Sequence, residues 1–156
     1  MNSILIKGKA DEGKSTTIRE ICKSLNPERV WELIYDKKEL KETTVGEIFN
    51  NTYVIQVGGK KILIAAGAPT EQKIRITLLI KICVELEVEI DFAIVAKRSA
   101  ERRKGFDTIN ELKNFGEIIL IDKISKIPGE DFKQSQEWND RISKIKKIVL
   151  ESLDRK

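Results

Sequence analysis

A short apolar run, Ser3-Ile4-Leu5-Ile6, passes through Lys7 into Gly8-Lys9-Ala10-Asp11-Glu12-Gly13-Lys14-Ser15, and Thr16-Thr17-Ile18-Arg19-Glu20-Ile21-Cys22 follows with helical periodicity. The spacing G-x-x-x-x-G-K-S, entered by a strand and left by a helix, predicts a loop that cradles phosphate. Glycine at positions 8 and 13 lets the backbone curl and approach an anion closely. The amides from about Asp11 to Ser15 are then expected to point inward as donors, reinforced by the positive end of the helix that starts near Lys14. Lys14 is expected to reach the β- and γ-phosphates, Ser15 to ligate Mg²⁺ through its hydroxyl, and Thr16 to bond the α-phosphate. Lys9, Ala10, Asp11 and Glu12 complete the loop. The carboxylates of Asp11 and Glu12 are compatible with a polyphosphate if they face solvent while their amides face in.

Composition excludes several chemistries. There is no histidine in the chain, which removes imidazole bases, His-ligated metals and Ser-His-Asp hydrolysis. Cys22 and Cys83 fall on the apolar faces of expected helices and read as buried thiols of a reducing compartment, not as a disulfide or zinc site. A formal charge of +4 makes no case for nucleic acid, and interleaved aromatics are lacking. The first strand begins almost at Met1, leaving no room for a signal peptide, and no apolar run reaches membrane-spanning length. The expectation is a cytoplasmic protein with no membrane partner.

The 156 residues read as a single domain. A helix over 14–25 carries Ile18, Ile21, Cys22 and Leu25 at helical spacing, and Asn26-Pro27 stops it. Residues 30–35 are apolar enough for a short strand or a core-packing loop, and 36–44 are charged and expected to be exposed. Two β-rich runs, 52–57 and 61–66, flank Gly58-Gly59-Lys60 and predict a hairpin whose second arm lies in the sheet centre. Helices are expected over 71–87, 99–114 and 132–153, and strands over 90–96 and 117–121. Strands alternating with helices predict a mostly parallel sheet with right-handed crossovers. The expected order is first hairpin arm at the edge, second arm, first strand, then the strands near Asp91 and Ile119. Ligands in such sheets bind at the carboxyl ends of the strands.

The loop from Ile4 to about Thr17 resembles that of the P-loop NTPases. The resemblance implies ATP or GTP with Mg²⁺, and an α/β three-layer sandwich with one antiparallel hairpin strand at the edge of a mostly parallel sheet. In general appearance the chain also looks like small P-loop proteins of bacteria and their phages. The layout is similar to that of small GTPases, but the residues depart from it. Their D-x-x-G would need aspartate where Ile64 stands, and their N-K-x-D would fall at Ala96-Lys97-Arg98-Ser99, which favours adenine over guanine. No carboxylate ends the strand over 61–66, where a second metal-holding group would stand. Glu71 is the nearest acid, with Asp36 and Glu42 as alternatives.

The basic cluster Lys97-Arg98-Ser99-Ala100-Glu101-Arg102-Arg103-Lys104 looks in layout like the arginine-bearing lid of nucleoside and nucleotide kinases. That resemblance implies that Arg98, then Arg102 or Arg103, neutralises charge on a transferred phosphoryl group. The bland alternative is a solvated first helical turn, although cations at a helix N-terminus oppose its dipole. Three functions stay open. The first is a Mg²⁺–nucleoside triphosphate binding protein with slow or partner-triggered hydrolysis. The second is a small-molecule kinase, with an acceptor pocket over 31–51 and Asp36 orienting the acceptor hydroxyl. The third is a non-catalytic regulatory or phage-associated module. The loop over 67–71 is positioned to sense a γ-phosphate.

Overall fold

The computed structural model describes residues 1–154. Its first strand, β1 (Asn2–Gly8), is apolar on both faces at Ile4, Leu5 and Ile6, all fully buried. A strand of this kind needs neighbours on both edges and cover on both faces. It has them: β6 (Phe92–Arg98) pairs with it in parallel over seven positions, from Asn2–Phe92 to Gly8–Arg98. On its other edge lies β7 (Ile118–Lys123), also parallel. Next to β6 comes β5 (Lys60–Ala65), parallel again.

Beyond β5 the sheet changes character. The hairpin of β4 (Thr52–Val57) and β5 turns at Gly58 and Gly59, both with positive φ. Strand β2 (Arg29–Ile34) then pairs antiparallel with β4, and β3 (Glu39–Thr43) pairs antiparallel with β2. The full order is β3-β2-β4-β5-β6-β1-β7.

The expected fold class is therefore corrected. A mostly parallel three-layer sandwich with one antiparallel strand at the edge does not describe this sheet. Three of its six strand pairings are antiparallel, and they form a continuous flank of β3, β2 and β4. The hairpin lies inside the sheet, since β4 has β2 on its free edge. The expected order of β1 and β6 is also reversed. Both carry an apolar run buried on both faces and are equally fit for a central place, so apolarity did not separate them.

Helices pack on both faces. One core joins α1 (Lys14–Ser24) and α5 (Gln136–Asp154) to Ile4, Ile6, Ile62, Ile64 and Ile94 through Ile18, Ile21, Ile145 and Val149. The other joins α3 (Ile76–Glu85) and α4 (Thr108–Lys113) to Leu5, Leu63 and Val95 through Leu79, Cys83 and Leu112. Strand alternation dictates this division, because successive residues of one strand point to opposite faces.

Two expected helices are shorter than their periodicity suggests. The helix over 71–87 is split into α2 (Pro69–Gln72), which opens on proline, and α3, with Lys73 between them at φ 62°. The Tyr35 hydroxyl donates to the Gln72 carbonyl at 3.3 Å and so satisfies the end of α2. The helix over 99–114 reduces to α4. Its start is set by Asp107, whose carboxylate accepts from the Asn110 amide, and by Glu101, which accepts from both Thr108 donors. Gly105 at φ 86° precludes a continuous helix through this stretch. The helix over 132–153 begins as a 3-10 turn at Phe132–Gln134 and becomes α5 at Gln136. Among the described residues, no helix is long and apolar enough to cross a membrane.

Burial holds both thiols protonated. It pushes Cys83 up to about 11 and Cys22 further in the same direction. Since the thiolate is the reacting species, Ellman's reagent at mildly alkaline pH is expected to label neither cysteine in the folded protein and both in denaturant. Rapid labelling of the native state would contradict this packing.

Candidate functional site

The parallel register brings the carboxyl ends of β1, β5 and β6 to one rim: Gly8 stands opposite Arg98, and Ala65 opposite Val95. The loop after β1 therefore emerges beside the loops after β5 and β6. Within it, Asp11 and Gly13 take positive φ, 62° and 89°, and the chain curls. The Glu12 amide donates to the Lys9 carbonyl at 3.3 Å, closing the curl. Gly13 is the N-cap of α1, and among the described residues no side chain caps that end. The first turn of a helix carries amides without intrahelical acceptors, so the free donors of Lys14, Ser15 and Thr16 stand at the loop's centre with the helix dipole behind them.

Lys14 and Ser15 are only 6% and 8% exposed. The Lys14 ammonium donates to the Lys9 carbonyl at 2.9 Å and pairs with Glu71 at 3.5 Å. The Ser15 hydroxyl lies 2.7 Å from the Ala66 carbonyl oxygen and within hydrogen-bond distance of the Asn50 side-chain oxygen. It accepts from the Asn50 amide at 3.3 Å. One hydroxyl proton thus serves two acceptor oxygens, an arrangement that a hard cation would relieve.

These groups line a cleft of about 250 Å³ formed by Ala10, Asp11, Gly13 to Thr16, Phe49, Asn50 and Glu71. Glu12 turns away: its carboxylate accepts from the Lys126 amide in the chain after β7. The Glu12 amide is engaged by the Lys9 carbonyl and its carboxylate by Lys126, so Glu12 presents neither an inward donor nor a solvent-facing acid. Asp11 is exposed and lies on the cleft's rim. Gly8 is tightly enclosed, since a Cβ there would meet Glu12 Cβ and the Ile124 carbonyl oxygen at 3.3 Å.

Two further hollows adjoin. One, of about 230 Å³, shares Asp11, Gly13 and Thr16 and is walled by Ile127, Phe132 and Trp138, the two rings edge-to-face at 5.2 Å. The other, of about 480 Å³, shares Ala10 and Glu71 and contains Lys9, Arg98, Arg102 and Arg103. Arg98 thus ends β6 beside the loop, and Arg102 and Arg103 line the same hollow from the irregular segment that follows, where a helical turn was expected.

Of the three candidate acids, only Glu71 lines the loop's clefts. Asp36 lines a separate hollow with Tyr35, Asn51 and Gln72, and Glu42 pairs with Arg29 across β2 and β3. Sequence reasoning passed over Asn50, whose signal was the Asn50-Asn51 doublet. Asparagine tolerates left-handed backbone, and Asn50 has φ 41°. Tyr53 fixes this segment: its buried hydroxyl accepts from the Phe49 amide at 3.1 Å and lies near the Glu47 and Phe49 carbonyls.

Mg²⁺ takes oxygen ligands and keeps most of its waters or phosphate contacts, needing one or two protein groups. Ser15 Oγ, Asn50 Oδ1 and the Ala66 carbonyl oxygen fit that requirement, and the residues are suited to a metal that arrives with a phosphate. Among the described residues, no cluster of three acidic, His or Cys side chains offers a metal site of its own. Comparison of the chain with family models, curated proteins and solved structures finds no match.

Two outcomes follow from this geometry. A Cβ on Gly67 would collide with the Asn50 carbonyl group, so Gly67→Ala is expected to cost ~1–3 kcal/mol, measured by urea unfolding. Glu71 competes with any anion for Lys14. Glu71→Gln is therefore expected to tighten ADP binding in EDTA by about two- to fivefold, measured by calorimetry.

Proposed function

We propose that this chain is a P-loop protein that binds a Mg²⁺–nucleoside triphosphate, ATP in preference to GTP. The supporting observation is the uncapped start of α1, with buried Lys14 and Ser15 facing an open cleft. Burying a lysine is costly unless an anion compensates it, and a phosphate would share the Lys14 ammonium with Glu71 at 3.5 Å and the Lys9 carbonyl at 2.9 Å.

The triphosphate tail follows the amides of residues 13–16, with Lys14 at the β- and γ-phosphates and Thr16 at the α-phosphate. Ser15, assisted by Asn50, holds the metal, which neutralises phosphate charge. The base enters the hollow beside Thr16, against Ile127 and the Phe132–Trp138 pair. The residues Ala96 to Ser99 lack the guanine-reading pattern, which favours adenine. Free, buried cysteines are in keeping with a cytoplasmic setting. Turnover in this reading is slow hydrolysis or hydrolysis triggered by a protein partner. The alternative reading, phosphoryl transfer to a second molecule, is favoured by the separate cationic hollow beyond Glu71.

A thermal melt tests the reading. Mg²⁺–ATP at a hundred times its dissociation constant adds about 2.7 kcal/mol of stability, equivalent in a domain of this size to roughly 5–10 °C in Tm. Lys14→Ala removes a charge-assisted contact and is expected to weaken binding about ten- to a hundredfold. A melt unmoved by ATP, GTP and ADP alike would overturn the reading.

A further inference from the structure

The cleft of about 480 Å³ next to the loop holds more positive charge than the protein compensates. Lys9, Arg98, Arg102 and Arg103 line it, and among the described residues none of the four forms a salt bridge or donates a side-chain hydrogen bond. The acid in its wall, Glu71, is directed to Lys14 at 3.5 Å. Arg103 covers the Phe106 ring at 5.7 Å, which steadies its plane.

The backbone of Arg98 is fixed by the sheet. Arg98 ends β6 in register with Gly8, and the Ser99 amide donates to the Gly8 carbonyl at 3.2 Å, fixing this rim against the loop. A second polar deficit lies in the same wall. The Thr70 hydroxyl oxygen is buried and has no hydrogen-bond partner, whereas buried polar atoms are nearly always paired.

The cleft is distinct from the one that Lys14, Ser15 and Thr16 line; the two share Ala10 and Glu71. Its size falls within the range of small-molecule sites, about 300–1,000 Å³. Three guanidinium forks and an ammonium suit a phosphate dianion, with its several acceptor oxygens, better than a single carboxylate.

We propose that this cleft is a binding site for a second ligand, a small phosphomonoester, lodged beside the triphosphate tail. The proposal rests on the Mg²⁺–nucleotide reading only for what lies next door. The monoester group is held by Arg98 and Arg102, with Lys9 completing its contacts. The remainder of the ligand extends toward Arg103.

The test is calorimetric titration of ribose 5-phosphate, glycerol 3-phosphate and uridine 5′-monophosphate, each against its unphosphorylated parent, with Mg²⁺–ADP present to fill the loop. At least one monoester is expected to bind about tenfold or more tightly than its parent. Arg98→Gln/Arg102→Gln is expected to abolish that advantage while Mg²⁺–ADP affinity changes less than about twofold. Arg102→Gln/Arg103→Gln, at two exposed positions, provides a second variant whose folding is not at stake. No preference for any monoester overturns the proposal. So does a preference that survives both variants, or one that Lys14→Ala removes and the arginine variants do not. If Mg²⁺–ADP fails to bind, the nucleotide reading falls, and the same titrations in its absence still decide this cleft.

Discussion

The seven-residue parallel pairing of β1 with β6 is the constraint on which the candidate site depends. It sets Gly8 against Arg98, and with that the phosphate-type loop and the cationic segment leave the sheet side by side. Both strands are buried almost throughout, so a slip by one residue would turn every apolar side chain to the opposite face and exchange the two cores. The location of the loop is therefore as rigid as the sheet interior, although the loop itself is at the surface. The remaining contributors, Glu71 and Asn50, come from segments that this framework holds in reach.

Electrostatics divides the rim into three neighbouring environments. Around α1 the cationic element is largely backbone, an uncapped helix start with one buried ammonium. Beyond Glu71 it is side-chain charge, in arginines that have no acidic partner among the described residues. On the third side, past Thr16, the apolar surfaces of Ile127, Phe132 and Trp138 stand among the charged Glu12, Lys126 and Arg141. Glu71 stands between the first two and lines both clefts. Its carboxylate sets how much of the Lys14 charge is available to an incoming anion.

Legibility in the sequence followed how local each determinant was. The loop, the first helix, the hairpin and the apolar strands are written in local spacing and periodicity, and they form at the expected places in the chain, although not at the expected places in the sheet. The antiparallel flank was not legible, because β3 offers a single apolar residue, Leu40, among charges and reads as solvent-exposed coil. The order of β1 and β6 depends on how crossovers route the chain, which no local pattern encodes. The expected helix over 99–114 ignored Gly105 and the capping geometry of Asp107, both of which were visible. The break at Lys73 had no such marker, as nothing in a lysine announces left-handed backbone. At the site, Lys14 and Ser15 were legible from the motif, whereas the juxtaposition of Ser15 with Asn50 and the Ala66 carbonyl joins segments 35 and 51 residues away.

The contact between Gly67 and Asn50 has a mechanical consequence. With no side chain at position 67, the linker between β3 and β4 rests directly on the main chain that leaves β5. The same linker grips the Ser15 hydroxyl through both the amide and the side chain of Asn50, and Tyr53 clamps it from below. The three-stranded flank is in this way geared to the helix start. A tug on β2 or β3, far out at the margin of the sheet, would be delivered through one asparagine to the hydroxyl of Ser15.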